Sequence, residues 1–376
     1  MFFFSMRYAG IATLWFCATA AAQPSFIPLG APPTSTLHSF GLGISGDGTT
    51  AVGFAGLTPG DNRAFRWTVQ TGTVGLGSLP GGNDVSHAQG VNYDGSVIVG
   101  FAVGSTGGEP MRWTEATGMV GLGALPGGSF LGEAYGTNDT GDVVVGFSFG
   151  ANGREAFRWT ESGGMHGLGS LTTSNIYSWA YDVSNDGDTV VGLAVDSNGV
   201  SRPMRWTSSG GMSVLGDLPG GSLSGFASAT NSDGSVIVGG SSSSNGGEAF
   251  LWKNGVMMGL GDLPGGAFAG SALGVSETGE VVVGVSEGPA MIAEAFYWTE
   301  MLGMVNLKDH LVSLGATGLD GWTLESARGV SADGLTITGI GFNPQGLKEG
   351  WVAHIPAPSS CVVLAIGGVV ASRRRR

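Results

Sequence analysis

The chain alternates short apolar runs with polar turns, and it does so on a repeating plan. An apolar residue or Thr, two residues, Asp-Gly or a near relative, two more residues and then a Val-Val-Gly-like run recur at residues 91–100, 137–146, 183–192, 230–239, 275–284 and 330–339. A weaker copy lies at 44–53. Apolar runs flanking Asp-Gly predict two strands joined by a two-residue hairpin turn, because Gly supplies the positive φ that such turns need. Val143-Val144-Val145 is apolar at consecutive positions, which predicts a strand covered on both faces, as an inner strand is between stacked sheets. A second element, Ala-Phe-Arg-Trp-Thr, places Trp at 67, 113, 159, 206, 252 and 298, spaced by 46 or 47 residues, with Trp351 as an eroded last copy. Each Trp offers a large area to bury between sheets. A third element, Gly-Leu-Gly-x-Leu-Pro-Gly-Gly, is centred on Leu76, Leu122, Leu215 and Leu260. It lacks Pro-Gly-Gly at Leu168 and is worn down at Val305-Asn306-Leu307. There Pro fixes φ and Gly takes positive φ in a tight turn.

With the segment before each hairpin, such as Ala88-Gln89-Gly90-Val91, these elements make four short strands per period of about 46 residues. The predicted fold is all-β: a seven-bladed β-propeller of four-stranded blades over residues 23–355. A right-handed β-solenoid is the alternative. The order of elements bears on the choice. After residue 22 the chain opens with a copy of the third element, Ile27-Pro28-Leu29-Gly30, and it ends with a copy of the second. Seven full sets therefore form only if an N-terminal strand pairs with the C-terminal blade, which closes the ring and removes exposed edges.

The strings Ala-Phe-Arg-Trp-Thr, Gly-Met-x-x-Leu-Gly and Asn-x-x-Gly-x-Val-Val-Gly resemble the HAF family of bacterial extracellular repeats, over almost all of residues 26–354. WD40 repeats fit less well, since Thr rather than Asp follows most of the tryptophans. The HAF resemblance implies export and a surface setting. It implies no reaction.

Both ends read as addresses. Arg7, the apolar run from Tyr8 to Ala20 and Ala20-Ala21-Ala22 form a secretory leader over residues 1–22, cut after Ala22. Phe16 before Cys17 argues against lipoprotein processing. At the other end, residues 356–376 run from Pro356-Ala357-Pro358 through an 11-residue apolar stretch to four arginines, Arg373 to Arg376. Eleven residues make roughly 16 Å of helix against a hydrocarbon core of about 30 Å, so the tail predicts a transient membrane association with its arginines inside. The three-part pattern resembles the PEP-CTERM sorting signal of Gram-negative bacteria, with Pro-Ala-Pro where that family has Pro-Glu-Pro. This resemblance implies an exosortase-type processing enzyme as a partner, cleavage near Pro356 and Pro358, and delivery to the cell surface. A retained stop-transfer tail is the other reading.

Composition narrows the partners. A formal net charge of −13 with no basic patch repels phosphate backbones, which excludes nucleic acid as a natural partner. The only cysteines, Cys17 and Cys361, fall in the terminal segments, so the body holds neither a disulfide nor a thiolate nucleophile. His38, His87, His166, His310 and His354 share no metal-like spacing, and no hydrolase, zincin or phosphate-loop motif is present. Asn138-Asp139-Thr140-Gly141-Asp142 and Ser184-Asn185-Asp186-Gly187-Asp188 faintly suggest calcium loops, but they lack the alternating ligands such loops need, so the expectation is no cofactor. Glu109, Glu155, Glu248 and Glu294, four residues before a Trp, recur alongside Arg66, Arg112, Arg158 and Arg205, directly before a Trp. Their recurrence predicts pairing between blades.

Variation between repeats points elsewhere. Four residues before the first position of the hairpin stand Phe40, His87, Glu133, Trp179, Phe226, Ser271 and Ser326. A frame that holds while one position changes in size and charge is what a binding rim looks like, and a solvated turn under no constraint is the competing account. Exposed aromatics suit sugar or protein contacts. An insertion at 308–325, carrying His310, Asp320 and Trp322, predicts a short helix at 308–314 capping one face. The expected function is that of a non-enzymatic surface protein: a binding module for extracellular polysaccharide or a surface protein, or a matrix scaffold. The alternative is a polysaccharide hydrolase or lyase, and acids, His or Tyr within hydrogen-bond reach at the channel mouth would favour it.

Overall fold

The computed structural model describes residues 23–30, 38–56, 61–172 and 176–357. The leader with Ala22, and the tail from Pro358 to Arg376 with Arg373, lie outside the described residues. The fold is all-β, built of antiparallel four-stranded units, with one helix among the described residues. Five sheets have four strands. A sixth has eight, where two units are joined by a short parallel pairing of Gly153 with Ile176 and Arg154 with Tyr177. The first unit sets the pattern: His38–Ile44, Thr50–Gly56, Asn62–Thr68 and Gly72–Gly75 in spatial order.

Stacking matches the apolar pattern. Val144 belongs to a cluster with Val97, Val99, Leu125 and Phe157. Its neighbours Val143 and Val145 belong to another cluster, with Leu168, Val190 and Met204. One strand thus buries side chains on both faces, as consecutive valines require.

The hairpins form, but not with two-residue turns. Ser45 N–H donates to the Thr50 carbonyl, so four residues bridge the strands; Gly48 N–H closes the turn on the Ser45 carbonyl, and Gly48 takes φ +72°. The Asp47 carboxylate accepts the Thr49 N–H at 3.0 Å. A turn followed by a left-handed Gly makes a four-residue loop, and the leading Ser or Asn finishes it. Asn138 Oδ1 accepts the Val143 N–H at 3.0 Å and Asn92 Oδ1 the Val97 N–H at 2.8 Å.

These turns also bond to one another. The Tyr93 carbonyl accepts from Asp47 N–H, Asp139 from Tyr93 N–H, Asn185 from the Asn138 side chain, and Ser232 from Asn185 N–H. Glu277 accepts from the Asn231 side chain, Ala332 from Glu277 N–H, and Gly46 from Ala332 N–H. The belt passes through every hairpin turn and returns to the first.

The last sheet is assembled from both ends of the chain. Thr323–Val330, Thr336–Phe342 and Lys348–His354 are followed in space by Ser25–Pro28, with Ser25 opposite His354 and Pro28 opposite Trp351. The helix spans Leu307–Ser313, one residue from the expected position, and Asn306 Oδ1 caps it by accepting the Asp309 N–H. It does not cap a face. Leu307, Leu311, Leu319 and Trp322 pack with Val283 and Tyr297 of one sheet, Trp351 of the next, and Phe26. The insertion fills the junction beneath the N-terminal strand because its apolar residues fit the gap left there.

Candidate functional site

The first strand of every unit carries a β-bulge. In Ser86–Val91, Ala88 faces Gly100 and Gly90 faces Val99, so Gln89 is the extra residue. The same shift isolates Leu42, Tyr135, Tyr181, Ser228, Leu273 and Arg328. A bulge leaves its extra residue out of the ladder and re-aims its side chain. All seven line one cavity of about 520 Å³, to which each of the seven first strands contributes. This channel wall was not anticipated from the repeat. The signal was available two residues beyond the variable position, where side chains differ just as widely.

The variable positions stand at the ends of the first strands farther from the belt of turns, and they are half-buried except Ser326, which is buried; of them Phe226 lines the cavity. Two aromatic tracts result. In one, Phe40 stacks on Phe54 at 4.6 Å, Phe54 meets His87 at 4.4 Å, and His87 meets Phe101 at 5.7 Å. In the other, Trp179 lies 6.2 Å from Phe147 and 4.5 Å from Tyr177, while Tyr181 lies 5.3 Å from Tyr135 and 6.4 Å from Phe226. Between the tracts Glu133 accepts from Gln89 at 2.6 Å and from the Tyr135 hydroxyl at 3.1 Å. Ser271 and Ser326 leave the rest of the mouth without rings.

The third strands hold each tract. Asn62 Oδ1 lies 3.1 Å from His38 Nε2, and Asn62 Nδ2 lies 3.1 Å from His87 Nε2. If the amide donates to His87, the neutral His87 ring carries its proton on Nδ1. At the equivalent place two units on, the Arg154 guanidinium sits 4.8 Å from the Phe147 and Trp179 rings, 5.1 Å from Phe149 and 5.3 Å from Tyr177. Stacked cation–π contacts of this kind contribute about 0.5–2 kcal/mol each where water is excluded.

Burial sets the electrostatics. It raises the Glu133 carboxyl above the ordinary range, against the opposing pull of Gln89 and Tyr135. It lowers His87. It lifts the Tyr181 hydroxyl to about 12 and raises Tyr135 as well, where the nearby Glu133 charge adds to the effect. Asp182 stands at the bulge position where five other units have Gly and one has Ala229. Its oxygens accept the Val183 and Thr230 N–H groups at 2.9 Å each. Loss of solvation nonetheless pushes its pKa up to about 7. Arg328, across the channel, is drawn down by desolvation. At the belt end, burial and the neighbouring Glu277 raise Asp139.

The recurrent Glu and Arg do not pair with each other. Glu109, Glu155 and Glu248 accept backbone N–H groups from Gly123, Gly169 and Gly261 at 2.8–3.1 Å, which pins the third element to its own unit. Arg112 and Arg158 reach the next unit, but to the carbonyls of Gly141 and Gly187. Among the described residues, no group of three or more His, Cys, Asp or Glu is placed to hold a metal ion. Asp142 is engaged in its own turn by Asn138 and Thr140, and Asp186 by Ser184 and the Asp188 N–H. No helix of the described residues is long and apolar enough to cross a membrane. Pro356 is described and carries no feature of its own.

No family model matches the chain, and no curated protein matches it. Solved structures do. TolB from Acinetobacter baumannii aligns over 83% of this chain at 10% identity with a TM-score of 0.47, and the chain spans 65% of that protein. An oligogalacturonate lyase from Vibrio parahaemolyticus aligns over 89% of this chain and 98% of its own, at 10% identity and a TM-score of 0.55. The β-propeller domain of the Trilobed protease from Pyrococcus furiosus, described as having an open velcro topology, aligns over 84% of this chain and 95% of its own, at 9% identity and a TM-score of 0.53. Likeness at this identity concerns the fold alone: all-β and propeller-like.

Proposed function

We propose that the chain is a seven-bladed β-propeller, closed by its N-terminal strand, that works as a non-enzymatic binding protein of a bacterial cell surface. Closure is supported by the pairing of Ser25–Pro28 with Lys348–His354 and by the belt that returns to Gly46. The surface setting rests on the leader and on the tail, with an exosortase-type enzyme as processing partner. The observation that carries the binding reading is the rim. Within a frame otherwise held by the repeat, Phe40, His87, Trp179 and Phe226 stand at one mouth with aromatic neighbours on the adjacent strands. Ring faces in an acidic protein suit a neutral polysaccharide, which stacks on aromatics and brings no charge to be repelled. Glycan arrays with the exported chain test this. Binding that falls at least tenfold in Phe40→Ala or Trp179→Ala supports the rim, and silence on glycans and surface proteins alike favours a purely structural role.

One observation favours a second reading, a hydrolase or lyase. Glu133, held toward its protonated form by burial, touches the Tyr135 hydroxyl beside the channel, a pairing suited to proton transfer. Turnover of a polysaccharide that disappears in Glu133→Gln while binding persists would establish it.

A further inference from the structure

We propose that the channel itself is a second binding site, for a small zwitterion of the amino-acid or short-peptide class, with its carboxylate at Arg328 and its ammonium at Asp182. The first strands stand in circular order. Each first strand lies beside the next, and His38–Ile44 lies beside Thr323–Val330. The bulged residues therefore succeed one another around the cavity as Leu42, Gln89, Tyr135, Tyr181, Ser228, Leu273 and Arg328, and back to Leu42.

In that order the wall is bilaterally patterned. Arg328 has a leucine on each side. Beyond the leucines come two neutral polar residues, one on each side, and opposite Arg328 stand two adjacent tyrosines. An acid belongs to the tyrosine pole: Asp182 comes directly after Tyr181 in the chain and lines the cavity. A cation thus stands at one pole and a carboxyl at the other, with Leu42, Gln89, Ser228 and Leu273 between.

These charges are unmet. Neither Arg328 nor Asp182 forms an ion pair among the described residues. Arg328 donates Nε to Ser326 at 3.1 Å, and the acid nearest it in effect, Glu325, is held by Lys348 at 2.9 Å. Asp182 receives one N–H on each oxygen, and a carboxylate oxygen accepts two. Arg328 is exposed to the channel and Asp182 is half-buried; a partly desolvated charge without a counter-charge is costly, and the upward shift of Asp182 has that cause. A molecule bearing both charges relieves both poles at once. A neutral sugar relieves neither, and a simple anion or cation relieves one.

Neither Arg328 nor Asp182 is a rim residue, and of the rim positions Phe226 alone also lines the cavity, so the proposal is tested separately from the polysaccharide reading. Isothermal titration of the full chain with the twenty amino acids and triglycine, and with N-acetyl and C-amide forms of whichever binds, is the test. The expected result is binding that weakens at least tenfold when either end is blocked. Arg328→Gln should abolish discrimination between free acid and amide, and Asp182→Gly discrimination between free and acetylated amine. Asp182→Gly installs the residue that five other units carry, and an unchanged circular dichroism spectrum shows that both variants fold. Phe40→Ala should leave the titration unaltered. The proposal is overturned if none of these probes binds, if blocking either end is without effect, or if both folded variants bind as the parent does.

Discussion

The N-terminal strand is the most exacting point of the assembly, and Phe26 measures it. Its side chain is 8% exposed, meets Trp322 edge-on at 5.1 Å and lies 6.2 Å from Trp351. Truncating a buried Phe to Ala costs about 3–5 kcal/mol, the spread reflecting how far the site collapses. Collapse is limited here, because Trp322 is carried by the insertion and Trp351 by the ladder, so Phe26→Ala should cost at least about 3 kcal/mol. For a domain of this size each kcal/mol moves the melting temperature by roughly 2 °C, which predicts a fall of about 6 °C or more. Phe26→Leu should lose less than half of that. Deleting 23–30 removes the strand alone and should expose the Lys348–His354 edge to pairing with other molecules. Deleting 23–43 would also cut the first strand of the first unit and confound the reading. Thermal melts with light scattering decide. A Phe26→Ala melting point within about a degree of the parent would mean that the pairing contributes nothing, and the reasoning about closure would fail with it.

Four further outcomes are expected. Asp182 titrates near 3.8 when unfolded and about 7 when folded, so the folded chain holds the proton in that window. Stability from this group is full below about pH 4, is lost as pH rises and is flat above about 8; relative to Asp182→Gly, urea unfolding should show a parent loss of about 3 kcal/mol from pH 5 to 8, and parallel pH profiles would contradict this. Gly128→Ala should fold poorly or melt many degrees lower, since its added carbon would sit 1.6 Å from the Phe149 carbonyl oxygen; a normal melt would mean that the loop simply moves. Glu155→Ala should lower stability by about 1–3 kcal/mol by orphaning the Gly169 N–H, whereas Glu161→Ala, an exposed neighbour, should change little in the same melts. Protein from the native cell should have an intact mass ending near Ser360, and replacing Arg373 to Arg376 with Ser should misdirect it; a mass that includes Cys361 to Arg376 would identify a retained anchor instead.

Interactions that leave a periodic mark are the ones a sequence reveals. The hairpins, the double-faced valines and the Ile27-Pro28 strand were legible because turn glycines and buried apolar runs recur in step. The helix was legible because Leu307 and Leu311 are spaced for one face. The channel was not. Which residue of Ala88-Gln89-Gly90 bulges depends on a register shift between strands, and no single side chain records that shift. The partners of Glu109 and Arg112 were misjudged for a related reason. Opposite charges suggest each other in a sequence, but here each satisfies a backbone group, and an N–H or carbonyl has no letter of its own. Asp182 was visible as a departure from Gly, yet it mattered only once the bulge had placed it on the channel wall.

The pairing of Ser25 with His354 also fixes which way the molecule faces. His354 lies opposite Thr336, beside the turn that starts at Ser331, and Ile355 donates its N–H to the Leu335 carbonyl. Both ends of the folded body therefore depart from the side bearing the belt of turns, while Phe40, His87 and Trp179 stand toward the opposite ends of their strands. A body tethered through the chain beyond residue 357 would stand with its belt toward the attachment and its aromatic mouth outward. A tether on the opposite side of the body would bury that mouth, so the shared side on which Ser25 and His354 stand governs what the protein can reach.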